Sequence, residues 1–272
     1  MTAFFAAWTM SRGMSGGQAG LEPQNIYWFE RQIETQIRCS KAWGSLTGRQ
    51  AILHVAHSSG LPEEKLLAIV DAAIDSDCAA LNLPAPALKP DVYIFAKPMD
   101  LGNALGFAAP VDYGLSVGGW AAVVLQNGWT EQALKPVAAQ EIGYVLVHDQ
   151  LGLFGWPIFN EGIALYFKGW AENAPWVTSP EPTEPTRISE LVRSAHSPAD
   201  FQEGANFIAY LIRRDKGNPD RVKAVVQDMA QARLAEVRLR HQDQGSSDVD
   251  DAFKSVYGKG LDALEHDWRT GK

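Results

Sequence analysis

Gln140-Glu141-Ile142-Gly143-Tyr144-Val145-Leu146-Val147-His148, followed after a short break by Trp156-Pro157-Ile158-Phe159-Asn160-Glu161-Gly162-Ile163-Ala164-Leu165-Tyr166-Phe167, is the stretch that decides the fold. The first run closes a helix expected over residues 131–150. Glu131 suits its first turn, Pro136 is tolerable if it lies within that turn, and Gly152 suits its end. At roughly 100° per residue, Gln140, Tyr144, His148 and Glu141 fall at about 0°, 40°, 80° and 100°, so all four can share one helix face. The second run opens another helix, expected over residues 160–170.

Upstream, Ala51-Ile52-Leu53-His54-Val55-Ala56 and Asp91-Val92-Tyr93-Ile94-Phe95-Ala96 are short apolar runs bounded by polar residues, and both suit strands. Between them, residues 62–81 place Leu66, Leu67, Val70, Ala73 and Ile74 at helical spacing, with Pro62-Glu63-Glu64 as a first turn. Gly118-Gly119-Trp120-Ala121-Ala122-Val123-Val124-Leu125 reads as a further strand, stopped by the turn pair Asn127-Gly128. Downstream the spacing predicts helices over 187–195, 199–215 and 219–240, then two short ones after 248. The Pro-rich stretch from Pro175 to Pro185 reads as a loop, the natural place for a lid or a boundary. The sum is α+β, with a small mixed sheet followed by a mostly helical C-terminal half. Three parts are expected: a flexible N-terminal segment (1–24), a sheet-and-helix part (25–174) and a helical part (187–272) packing on the same domain.

With 272 residues the chain can bury one substantial core, and its net charge of −8 argues against a nucleic-acid partner, which needs a positive footprint. The local basic stretch of Arg213, Arg214, Arg233, Arg238 and Arg240 is interrupted by Asp215, Asp228 and Glu236, as on a solvated helix face. Cys39 and Cys78 fit either one bridge or two thiols. The apolar start, Phe4 to Met10, is too short for a membrane span and poor as a secretion signal. Location therefore stays open between cytoplasmic and exported with a trimmed or mis-started signal, and oligomeric state is unconstrained. There is no nucleophile elbow, phosphate loop or dinucleotide fingerprint, so no cofactor is expected. His54 and His57 lie three apart at a strand end and face opposite sides, which argues against a joint ligand role. Trp120, Trp156, Trp170 and Trp176 suit either a cleft lining or core.

The two quoted runs resemble the peptidase-MA-like gluzincins, in which one helix bears His-Glu-x-x-His and the next opens with a Trp-x-x-Glu-Gly-x-Ala-x-Tyr pattern or a close variant. Ala205 to Arg214 resembles the helix under such sites. Ala252 to Gly258, then Leu261, Leu264, Glu265 and Trp268-Arg269, are similar to the closing segment, so the resemblance covers roughly residues 50–270. It implies a zincin-like fold with two His and the second-helix Glu holding zinc and the motif Glu as general base. Here Gln140 and Tyr144 stand at the two His positions, and only Glu161 of the three ligands remains. A carboxamide and a phenol are poor zinc donors, so zinc-dependent proteolysis and a bound metal are not expected.

The resemblance then implies a cleft with Glu141, Glu161, Tyr144 and His148 as candidate catalytic residues. Gln140, Gly118, Gly119, Trp120 and Tyr210 are candidate substrate-binding residues. Two desolvated carboxylates could serve as a metal-free acid and base, acting on a small molecule, because each raises the other's pKa. Alternatively, the cleft grips a peptide-like segment along the Gly118 to Leu125 strand, taken as a sheet edge, without catalysis. A third arrangement is a shifted metal site of Glu141, His148 and Glu161. Each residue also has an ordinary reading. A helix dipole would favour Glu161, a nearby cation Glu141, and protonation at a helix end His148, while Gln140 and Tyr144 would plug the vacated pocket.

Overall fold

The computed structural model describes Thr35, Ile37 and residues 40–104, 114–117, 119–125, 130–152, 156–183, 185–239 and 247–271. Cys39, Gly118 and the whole of the N-terminal segment 1–24 lie outside them. The described strands are β1 (Trp43–Thr47), β2 (Ile52–Ala56), β3 (Asp91–Phe95), β4 (Gly114–Val117) and β5 (Trp120–Val124). The helices are α1 (Glu63–Ala80), α2 (Pro98–Ala104), α3 (Glu131–Gln150), α4 (Pro157–Glu172), α5 (Pro175–Thr178), α6 (Ile188–Ser194), α7 (Pro198–Arg214), α8 (Asp220–Leu239), α9 (Ser247–Tyr257) and α10 (Leu261–Arg269). The fold is thus α+β, a small mixed sheet followed by a mostly helical half. No described helix is long and apolar enough to cross a membrane. The chain divides into two compact units, Met1–Asp75 with Ala85–Val145 and Ser76–Pro84 with Leu146–Lys272, two of the three divisions falling inside α1 and α3.

In the first unit the sheet runs β1-β2-β3-β5-β4, with β2, β3 and β5 parallel and the outer strands β1 and β4 antiparallel to their neighbours. The three parallel strands are the ones with near-continuous apolar sequence, as strands covered on both faces must be, and almost all their residues are buried. The expected strand at 118–125 is therefore interior: β5 lies between β3 and β4, and the described edge on that side is the four-residue β4. All five residues of β5 are buried, so its sequence meets the demands of an inner position. The opposite edge, β1, forms a hairpin with β2 whose turn is fixed by α1. The Asp71 carboxylate accepts from the backbone N–H groups of Arg49 and Gln50, both at 2.9 Å. A side-chain carbon on Gly48 would come within 2.5 Å of Leu67 Cδ1 and 2.9 Å of the Asp71 carboxylate, so a larger residue there would have to displace those side-chain ends.

In the second unit α4 and α7 make the closest helix pair, and the reason is glycine. A Cβ on Gly204 would lie 2.4 Å from the Ile158 carbonyl oxygen, and one on Gly162 would lie 2.9 Å from the Gly204 backbone. α4 starts at Pro157, whose lack of an N–H costs nothing in a first turn, and ends with Asn173 in the left-handed conformation at φ 53°. The Pro-rich stretch is partly helical, forming α5, and the residues beyond α5 are strapped down. The Trp268 indole donates to the Pro180 carbonyl (3.2 Å), Asn206 to the Glu181 carbonyl (3.1 Å), and Arg269 to the Thr186 carbonyl (2.9 Å). These bonds tie the segment to α7 and α10 as a strap. Aromatic packing of Phe207 against Phe253 and Trp268 closes the core beneath it.

Candidate functional site

α3 carries the first of the two motifs and is buried over most of its length. Thr130 precedes it, its carbonyl accepting from Ala133 and Leu134. Pro136 falls in the second turn, beyond the position where its missing N–H would cost nothing, so one intrahelical bond is forgone there. Gln140, Glu141 and Tyr144 are 8%, 6% and 5% exposed, so all three are core-facing polar groups as the helical arc required. β4 packs directly on this turn: a Cβ on Gly114 would come within 2.6 Å of Glu141 Cγ and 2.7 Å of the Ala122 carbonyl oxygen. Ser116 Oγ lies 2.6 Å from the Glu141 carbonyl oxygen and 3.0 Å from its Oε2, so one hydroxyl proton is shared between two acceptors. A serine hydroxyl is thus one partner of Glu141. Ser116 is invisible in the sequence because a four-residue strand containing Gly114 leaves almost no periodic signal.

The remaining motif residues belong to the second unit. Burial lowers the His148 imidazole from 6.5 to about 4, against the opposing effect of a hydrogen bond to Asn160. The ring is neutral at pH 7, which corrects the expectation of a protonated helix-end histidine: desolvation outweighs the C-terminal dipole. Glu161 is 4% exposed and sits in the second turn of α4, which starts earlier than expected. The helix-dipole explanation fades there, because the field falls off within the first turn. Its neighbour Gly162 makes the close contact with α7 described above, a structural cause for the Glu-Gly pair.

Of the proposed binding residues, Gly119 is exposed, whereas Trp120 is 9% exposed and packs edge-on to Tyr93 at 6.1 Å between ring centroids. Tyr210, half-buried, stacks on Phe207 and lies 6.1 Å from Trp268. Trp156 is buried, Trp176 covers Gly169, and Trp170 alone of these is exposed, at 40%. The thiol of Cys78 points at the Pro84 carbonyl, 3.4 Å away. Among the described residues, no group of three or more His, Cys, Asp and Glu side chains is gathered as a metal-ion set. No protein-family model matches the chain, and no curated protein matches it.

Proposed function

We propose that this chain is a gluzincin-like scaffold that no longer uses zinc and instead binds an extended peptide segment. The reading is carried by one observation: β4, an edge strand among the described residues, is coupled through Ser116 to the Glu141 turn of α3. An edge strand offers unpaired backbone donors and acceptors, and an extended peptide can add to it as a further strand. Zinc does not fit the donors now present, because Gln140 and Tyr144 are neutral oxygen and nitrogen groups where the resemblance calls for imidazoles. With Glu141 tied to Ser116, the motif turn serves to hold the binding edge.

Short peptides selected by display against the purified protein are expected to slow backbone hydrogen exchange at Gly114–Val117. They should be bound and not cleaved, with or without a zinc chelator. Selected peptides that protect other segments only, or that are hydrolysed in a chelator-sensitive way, would overturn the reading.

A further inference from the structure

Outside α3 and α4, the sheet of the first unit holds a different chemical constellation. Ser45 on β1 pairs in register with His54 on β2, and His54 pairs with Tyr93 on β3, two residues beyond Asp91. With side chains alternating along each strand, Ser45, His54, Asp91 and Tyr93 share one sheet face. The His54 ring bridges the other two polar groups: Nδ1 lies 2.8 Å from Ser45 Oγ, and Nε2 lies 2.8 Å from Asp91 Oδ1. A carboxylate can only accept, so Nε2 carries the proton and donates to Asp91. Nδ1 then presents a lone pair to the Ser45 hydroxyl. The ring is also held by stacking on Tyr93, at 4.5 Å and 13° between planes.

We propose that Ser45, His54 and Asp91 form an acyl-transfer site for activated carboxylic esters, with Ser45 as nucleophile, His54 as general base and Asp91 as the group that orients the imidazole. The roles are those of a serine–histidine–aspartate triad, which is recognised by geometry and not by sequence order. The two ring nitrogens are used in the opposite sense to the usual one. Access is arranged as the chemistry needs, since Ser45 is exposed while His54 is 5% exposed.

The hairpin ladder adds an oxyanion donor. Hydrogen bonds from Gly48 N–H to the Ala51 carbonyl and from His57 N–H to the Ala42 carbonyl fix the alternation along β1. Ser45 and His54 are therefore a non-hydrogen-bonded pair, with side chains close together and the Ser45 N–H pointing away from β2. In the reaction, Ser45 Oγ bonds to the ester carbonyl carbon while its proton passes to His54 Nδ1. The bond from the carbonyl carbon to the leaving-group oxygen, or to sulfur in a thioester, then breaks, and the departing atom takes that proton. Water attacks the acyl-Ser45 ester by the same route, releasing the carboxylic acid and restoring the hydroxyl. With the Ser45 N–H as the one donor identified for the developing oxyanion, the site suits aryl esters and thioesters more than amides, whose poorer leaving groups need fuller stabilisation.

The test is labelling of the full chain with an alkyl fluorophosphonate, in which Ser45 Oγ bonds to phosphorus and fluoride departs, read by intact mass and peptide mapping. The expected result is one adduct, on Ser45. It should be absent in Ser45→Ala, an exposed substitution that leaves the fold intact, and form at least about tenfold more slowly in Asp91→Asn. No adduct on wild-type Ser45, or labelling of Asp91→Asn at the wild-type rate, overturns the proposal. The site does not depend on the peptide-binding reading, and neither test informs the other.

Discussion

Replacing Arg269 by Met is expected to destabilise the protein by about 3–5 kcal/mol, the range for leaving buried charges without their partner. Arg269 Nη2 donates to Glu203 Oε1 at 3.0 Å, and its Nε donates to Glu265 Oε1 at 2.7 Å. Glu203 is fully buried and Glu265 is 3% exposed, so neither carboxylate can turn to water once the guanidinium is gone. Their other oxygens are already committed: Glu203 Oε2 accepts from the Thr183 N–H and hydroxyl, both at 2.8 Å, and Glu265 Oε2 accepts from the Ile188 N–H at 3.0 Å. Arg269 therefore neutralises the two anchors that hold the strap. Arg269→Lys should recover only part of the loss, because a single ammonium cannot match two carboxylates and a carbonyl in fixed directions. Urea unfolding curves of the three proteins check this; a Met variant within about 1 kcal/mol of wild type, a margin near that of an ordinary surface substitution, would contradict it.

Acidification from pH 7 to pH 4 should cost wild type on the order of 3 kcal/mol more than it costs His148→Gln. The sign follows from proton uptake. The folded imidazole titrates at about 4 and the unfolded one near 6.5, so between these values the unfolded chain binds the extra proton. The contribution is thus complete above pH 6.5, falls as pH falls, and levels off below pH 4. Asp77 acts in the opposite direction. Fully buried, with no hydrogen-bond partner for either carboxyl oxygen among the described residues, it is pushed well above the usual carboxylate range. Comparing wild type with the single His148 variant at each pH removes that background. Equal slopes for the two proteins between pH 6.5 and pH 4 would show that His148 is not desolvated.

Much of this architecture is legible in the sequence because burial imposes a period. Leu66, Val70, Ala73 and Ile74 mark α1 at helical spacing, and the apolar runs at Leu53–Val55 and Val92–Phe95 mark two inner strands. The edges are not legible. β1 interrupts its apolar positions with Gly44 and Ser45, because an outer strand needs neither full burial nor β-branched residues, and β4 is only four residues long. With β4 unseen, the inner strand β5 reads as an edge. Polar clusters are hidden for another reason. His54 is 9 positions from Ser45 and 37 from Asp91, and 66 positions separate Arg269 from Glu203. Strand register joins the first set and helix packing the second, and neither leaves a motif in the chain. Within α3, by contrast, the sequence alone places Gln140, Glu141 and Tyr144 on one buried face, since a single helix fixes their arc. Ser116, which meets Glu141, comes from the strand that has no such signal.

The zinc content of the purified protein, measured by plasma mass spectrometry alongside a zinc titration of wild type and of Gln140→His/Tyr144→His, bears most directly on the gluzincin-like scaffold. An emptied site predicts no stoichiometric metal in wild type and one zinc per chain in the double variant. Stoichiometric metal in wild type, or a double variant that takes up none, would contradict it.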